Sequence, residues 1–299
     1  MIKSGPNTLR YYSNVASIKA PAAWKHSTGQ RVRIGIIDTG IDIRHPDLRR
    51  SIAGGINLLF PQMPPYDDNG HGTHIAGTIA ASSESNGARG IAPGALLYAI
   101  KAFDSNGTAY VSDIVSGIDW CVRHRIRIIN MSFGLHARSR ALEEAINRAY
   151  RAGAIIVASS GNDGRRSIDY PGRYPEVISV GATNRSGEIA VFSNKSRSID
   201  IYAPGENIRS TWPHGRYGQL NGTSMATSHV SGVVALMLAV KPQLRSNEIR
   251  NLLQKSATPL RTRDSRIRRF GIVQAERAVL LAILGNTGKV KPHQSTKLR

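Results

Sequence analysis

The chain of 299 residues is 40 % apolar with 29 glycines, which suits a compact globular protein with many turns, built as one large domain or two small ones. Forty Lys and Arg against 20 Asp and Glu give a formal net charge of +20, a field that attracts an anionic surface or polymer, yet no nucleic-acid motif and no aromatic-spaced basic stripe accompanies it. A single cysteine, Cys121, excludes an internal disulfide, and the longest apolar run, 233–240, is too short to span a bilayer, so no membrane span is expected.

The opening MIKSGPNTLRYYSNVASIK has no apolar segment of the secretory kind, so the chain is expected to be cytoplasmic if it is full length and secreted if it is a mature fragment. VRIGIID (32–38) reads as a buried strand that ends on an acid. A helical stretch (72–82), a strand (95–103), a helix (about 111–124) and a strand (126–131) come next. They are followed by a helix (about 139–152), a strand (154–160) and shorter strands at 177–182 and 199–204. Helical patterns then occupy 224–240, 246–256 and 273–284, and the residues from about 286 onward form a basic tail without periodicity. Uniformly apolar strands alternating with helices predict an α/β fold, doubly wound, with a mostly parallel sheet covered on both faces. Sites in such sheets form beyond the carboxyl ends of the strands, where Asp38 and Asn162 both fall.

Three segments carry the chemistry. IIDTGIDIRHPDL sets Asp38 at the exit of a strand, as a turn residue or a functional acid. DDNGHGTHIAGTIA frames His71 between Gly70 and Gly72 at a helix start, open to a reactant from more than one side. NGTSMATSHVSG sets Ser224 among Gly222, Thr223 and Ala226 at the head of an apolar helix, as a cap or as a nucleophile backed by the helix dipole. Acyl transfer needs this trio: serine is a poor nucleophile until an imidazole takes its proton, and the imidazole needs a carboxylate to hold its tautomer. His74 and His229 read as packed, hydrogen-bonded rings, Asp67 and Asp68 as turn residues and Cys121 as a buried thiol. HGTH lacks the glutamate and the i, i+4 spacing of a zinc-protease helix.

Taken together, the Asp-Thr-Gly, His-Gly-Thr-His and Gly-Thr-Ser-Met-Ala motifs, in that order, resemble those of the subtilisin-like serine peptidases, the subtilases; the likeness runs from about residue 18 to 279. The resemblance implies a catalytic domain over 21–284, with an N-terminal extension (1–20) and a loose basic tail (285–299). It implies a serine endopeptidase acting on proteins or peptides without a cofactor for catalysis. Asp38 would orient His71, His71 would serve as base and then acid, and Ser224 would attack the carbonyl. Asn162 in ASSGNDG (158–164), beside Ser160 and Gly161, would donate its amide to the oxyanion. The substrate would add as a strand between Ser132-Phe133-Gly134 and the loop 105–110. A structural Ca²⁺ is implied by Asp47 and the loop 82–90 with Glu84. The chain departs from the family at Ser228, where subtilases usually carry proline; its absence is expected to straighten the first helical turn. Asp169 in SIDYPGRYP stands where relatives usually have a small residue. It either lines the primary specificity pocket and favours a basic P1 side chain, or turns away to cap the following turn.

Overall fold

Strands that are apolar at every position must be covered on both sides, and a parallel sheet between two helical layers meets that demand. The computed structural model describes residues 13–82, 87–262 and 271–285. Seven strands form one sheet: β1 (Arg33–Asp38), β2 (Ile52–Asn57), β3 (Leu96–Lys101), β4 (Ile128–Met131), β5 (Ile155–Ser159), β6 (Val177–Thr183) and β7 (Ile201–Pro204). They lie in the order β2-β3-β1-β4-β5-β6-β7, each neighbouring pair parallel. From β1 the chain winds to one side through β2 and β3, then crosses to the other side through β4. The switch point is therefore the crevice beyond the ends of β1 and β4.

The strands sort their side chains by the pleat. Ile34 and Ile36 of β1, Ile128 of β4 and Ile155 and Val157 of β5 enter one core. There they meet α3 (His71–Ala80), α6 (Thr223–Val240) and α8 (Ala275–Leu284). Ile37, Ile129, Met131, Ile156 and Ala158 face the other core, built with α4 (Val111–Arg123) and α5 (Arg140–Arg151). Gly35 has no side chain because α4 lies so close: a Cβ there would sit 2.7 Å from Cys121 Sγ. On α5, Ser139 caps the first turn by accepting from the Leu142 N–H at 3.3 Å, and Arg148 and Arg151 close the last turn. Helix α6 is 18 residues long with a mean hydropathy of 1.5, so it passes by length and composition a test that buried core helices also pass. It is 89 % buried inside the protein and forms the central rod of the larger core.

The strands and helices foreseen from the pattern are present, α7 (Ser246–Ser256) included. Five elements were not foreseen. Helices α1 (Ser13–Ser17) and α2 (Ala20–Ala23) precede the sheet; Val15, Ile18, Ala20 and Ala23 are buried in the larger core, and Ile18 O accepts from the Ala275 N–H at 2.7 Å. Strand β2, IAGGIN, is an edge strand whose central glycines hide its periodicity; at φ +157°, a Cβ on Gly55 would meet Ala99 O at 2.1 Å. The hairpin β8 (Ile208–Trp212) and β9 (Arg216–Leu220) is antiparallel and packs on α3. Its turn is pinned to the exit of β1, where Asp42 Oδ2 accepts from the backbone N–H of His214 at 2.9 Å.

Candidate active site

Asp38 is the last residue of β1 and is buried. Its Oδ1 accepts from the Thr39 N–H at 2.8 Å and from His71 Nδ1 at 2.7 Å. An ionised carboxylate only accepts, so the proton of the neutral ring sits on Nδ1 and Nε2 keeps its lone pair. His71 opens α3, and the start of that helix is tied down by Asp67. Asp67 Oδ1 accepts from Thr39 Oγ1 (2.8 Å), Asn69 N–H (3.0 Å) and Gly70 N–H (2.8 Å). Its Oδ2 accepts from the Thr73 N–H at 2.8 Å and the Thr73 hydroxyl at 2.5 Å. The first N–H groups of a helix lack intrahelical partners, and a buried acid before the helix supplies acceptors. Asp67 is thus a positioning residue that the reading as a turn former understated. Its sequence signal was its place four residues ahead of His71. Asp68 pairs instead with the buried Lys101, whose Nζ donates to Asp68 Oδ1 and to Thr39 O, both at 2.7 Å.

Burial of the His71 ring works against its charged form, but the adjacent Asp38 carboxylate outweighs it through its charge and hydrogen bond, and Asp67 adds to this. The net effect is a pKa above the usual histidine value of 6.5. The side chain is 29 % exposed, so solvent reaches the ring.

Ser224 is the second residue of α6 and is buried, with its hydroxyl donating to Ser132 O at 2.8 Å. In this rotamer the single hydroxyl proton is directed to Ser132 O and not to His71. His71 and Ser132 line one cavity of about 240 Å³, with Asp38, Asn69, Phe103 and Phe133 in its wall; Ser224 does not line it and is joined to it through its bond to Ser132 O. A larger cavity of about 540 Å³, between Asn14, Asn184 and Arg261, contains none of these side chains.

Asn162 follows β5. Its Oδ1 accepts from the Thr223 N–H at 2.8 Å and the Thr223 hydroxyl at 2.9 Å. The N–H contact fixes which end of the amide is oxygen, so Nδ2 is the end left to donate beside the head of α6. The Ser224 N–H lies in the first turn of that helix, where no intrahelical acceptor exists. Ser132 and Phe133 directly follow β4, and the Phe133 ring packs on Phe103 with centroids 5.0 Å apart. Ser160 O accepts from the Asp169 N–H and from Asn194 Nδ2, each at 3.0 Å, which ties the segment before Asn162 to the segment carrying Asp169.

Asp169 does not cap the following turn. Its carboxylate lies between Gly134 and Gly161: Cβ atoms added to those glycines would sit 2.8 and 2.3 Å from Oδ2. Only 10 % of the side chain is exposed, and Oδ1 meets His136 Nδ1 at 3.3 Å. The segments that carry Gly134 and Gly161 therefore hold a carboxylate between them.

The remaining candidates divide cleanly. His74 bonds Ile208 O through Nε2 at 3.0 Å, and burial pushes its pKa down to about 3. His229 bonds Met225 O through Nδ1 at 2.8 Å, and burial lowers it to about 4. Both are neutral core rings. Burial raises the pKa of Cys121, leaving an inert thiol. Ser228 Oγ donates to Met225 O at 2.7 Å within a continuous helix. Asp47 Oδ2 accepts from the Ala88 N–H (2.7 Å) and the Tyr217 hydroxyl (2.8 Å), while Glu84 lies outside the described residues. The basic segment 263–269 and the tail beyond 285 also lie outside them.

A family model described as the subtilase family matches residues 29–273. Subtilisin E of Bacillus subtilis (strain 168) is 42 % identical over 252 residues, covering 82 % of this chain and 66 % of its own length. Thermostable alkaline protease of Halalkalibacterium halodurans is 45 % identical over 232 residues, 78 % of this chain and 63 % of its own. Subtilisin Savinase of Lederbergia lenta is 42 % identical over 265 residues, 88 % of this chain and 97 % of its own. The chain thus spans a little under two thirds of the length of the first two relatives and nearly all of the third.

The Asp38–His71 pair makes a measurable demand. In an NMR titration His71 should ionise above 6.5, and Asp38→Asn should lower that value, because burial is then opposed only by the more distant charge of Asp67. The folded pKa is raised, so the pair's stabilisation is fully present below the unfolded value and is lost as pH rises through the folded one. The melting-temperature gap between wild type and Asp38→Asn should therefore be widest below pH 6.5 and narrow as pH rises through the folded value. A His71 titration unmoved by Asp38→Asn would contradict the pairing.

Proposed function

Because the chain belongs to the subtilase family, we propose that it is a serine endopeptidase working through an acyl-enzyme on Ser224. The observation that carries the reading is the 2.7 Å bond from His71 Nδ1 to Asp38, which leaves Nε2 basic and turned to the cavity shared with Ser132. As Ser224 Oγ attacks the peptide carbonyl, its proton passes to His71 Nε2, and Asp38 stabilises the imidazolium. The carbonyl oxygen becomes an oxyanion, met by Asn162 Nδ2 and the Ser224 N–H. Collapse breaks the C–N bond while His71 returns the proton to the leaving amine. Water, deprotonated by the same ring, then releases the acid and restores the serine. The substrate backbone lies along Ser132-Phe133-Gly134 as an added strand, which accepts varied sequences. These steps call on side chains and backbone alone.

A phosphonate ester should label wild type stoichiometrically and leave Ser224→Ala unlabelled. Ser224→Ala or His71→Ala should cut turnover by about 10⁶, the loss known for the triad of subtilisin itself, with melting little changed. Ordinary peptidase activity in Ser224→Ala would refute the mechanism.

We assign Asp169 to the floor of the P1 pocket, with a preference for Arg or Lys. The support is a carboxylate nine-tenths buried between Gly134 and Gly161 with one long contact. A charge so placed gains from a cationic substrate group by charge-assisted hydrogen bonds. Asp169→Ser should reduce the ratio of kcat/KM for Arg over Leu peptides at least tenfold, about 1.4 kcal/mol, and leave the Leu substrate nearly unchanged. Equal changes in both would make Asp169 a structural residue.

A structural Ca²⁺ near Asp47 is also proposed. Asp47 gives Oδ2 to protein donors, Oδ1 receives none among the described residues, and the remaining oxygens of a six- to eight-ligand shell would come from loop 82–90. Chelation should lower the melting temperature of the wild type and lower it less in Asp47→Asn. An identical response in both removes Asp47 from the site.

A further inference from the structure

We propose that His136, Asp163 and Asp169 form a binding site for a borderline divalent transition ion, Zn²⁺ being the best match, and that its occupation shuts the P1 pocket to cationic side chains. The second half rests on the assignment of Asp169 to that pocket. Each residue offers one ligand atom, and the three atoms lie within 4.8 Å of one another.

The backbones that carry them are fixed. Leu135 and Tyr170, the neighbours of His136 and Asp169, exchange two hydrogen bonds of 2.7 and 2.9 Å. The Asp169 N–H bonds Ser160 O at 3.0 Å, and the Asp163 N–H bonds Asn194 Oδ1 at 3.1 Å. The side chains have room to converge. His136 is 64 % exposed, and the Asp163 partner Arg165 is 53 % exposed with a contact of 3.5 Å.

The spacing is compatible with an ion between the groups. An imidazole and a carboxylate in a charge-assisted hydrogen bond come to about 2.7–2.9 Å. His136 Nδ1 and Asp169 Oδ1 stand 3.3 Å apart. Two ligands on a tetrahedral ion with bonds of about 2.0–2.1 Å are separated by about 3.3 Å. Oδ2 of the buried Asp169 receives no donor among the described residues, so the carboxylate has coordinating capacity to spare. One imidazole with two carboxylates suits Zn²⁺ with an open fourth position, whereas Ca²⁺ and Mg²⁺ prefer shells made wholly of oxygen.

A bound dication would take up the charge of Asp169 and repel an incoming guanidinium. Zinc should therefore depress cleavage after arginine far more than cleavage after leucine.

Binding is measured first, by calorimetry with zinc chloride on the Ser224→Ala protein, with calcium in excess throughout. Cobalt(II) absorption reports the coordination. One equivalent should bind, and affinity should fall at least tenfold in His136→Ala and in Asp163→Asn, each checked for an unchanged melting curve. In the active enzyme, zinc should lower kcat/KM for an Arg peptide, spare a Leu peptide, and be reversed by a zinc-selective chelator; each variant is compared with itself under chelator. Absent binding, or binding unchanged in both variants, overturns the site. Inhibition that persists in His136→Ala places the ion elsewhere, on His71 for example, and overturns it too. Binding lost in the variants with Arg and Leu peptides inhibited alike keeps the metal site and refutes the pocket assignment, so the two failures are distinct.

Discussion

An ionised carboxylate taken out of water costs several kcal/mol unless it collects donors, and two such groups, Asp38 and Asp67, stand at the switch point of the sheet. Thr39 serves both. Its N–H reaches Asp38 Oδ1 and its hydroxyl reaches Asp67 Oδ1, while its Oγ1 accepts from the Gly72 N–H at 3.0 Å. The exit of β1 and the start of α3 are thereby one hydrogen-bonded unit. His71 enters it as a donor to Asp38, so its ring orientation follows from satisfying a buried charge. Loosening Asp67 would free the helix start and, with it, the ring.

A second polar chain fixes the other half of the site from inside the core. Ser231 of α6 donates to Asn130 Oδ1, Asn130 Nδ2 donates to Ser132 Oγ, both at 2.8 Å, and Ser132 Oγ reaches Ser224 O at 3.3 Å. Each member is buried and each bond satisfies the next, which makes β4 and α6 a single rigid frame. Asn162 is attached to this frame through Thr223 alone, by two bonds on one oxygen. Rigidity therefore resides partly in groups set behind the cavity, Asn130 and Ser231, which hold Ser132 in its wall.

The sequence carried the large features because burial writes them as runs: VRIGIID, IRIINM and AIIVASS can only be interior strands. The three motifs were legible because glycines and threonines surround each reactive side chain. What stayed hidden obeys other constraints. Strand β2 needs glycine where Ala99 O approaches, so it lacks the β-branched residues that mark a strand. The hairpin β8–β9 is short and polar: Ser210 and Thr211 face α3, their hydroxyls donating to His74 O and Thr73 O. Asp67 looked like a turn residue because its five donors come from places as far apart as Thr39 and Thr73. His136 carried no signal at all, since its interest lies in a contact across 33 positions with Asp169. Tertiary electrostatics of this kind leave no local pattern.

The resting contact of Ser224 bears on how the proposed chemistry starts. Its hydroxyl donates to Ser132 O, an acceptor on the segment along which a substrate backbone would lie. An extended peptide brings N–H donors to that edge, and a peptide N–H on Ser132 O competes with the hydroxyl for the same oxygen. The hydroxyl then turns about one single bond between staggered wells, a motion of picoseconds to nanoseconds for side chains with room. The acceptor it can turn to is His71 Nε2, left basic by the bond from Nδ1 to Asp38. Under the proposed mechanism, substrate binding and activation of the serine would be coupled through one carbonyl oxygen: the hydroxyl points at Ser132 O while the edge is free and would turn to the base when the edge is filled.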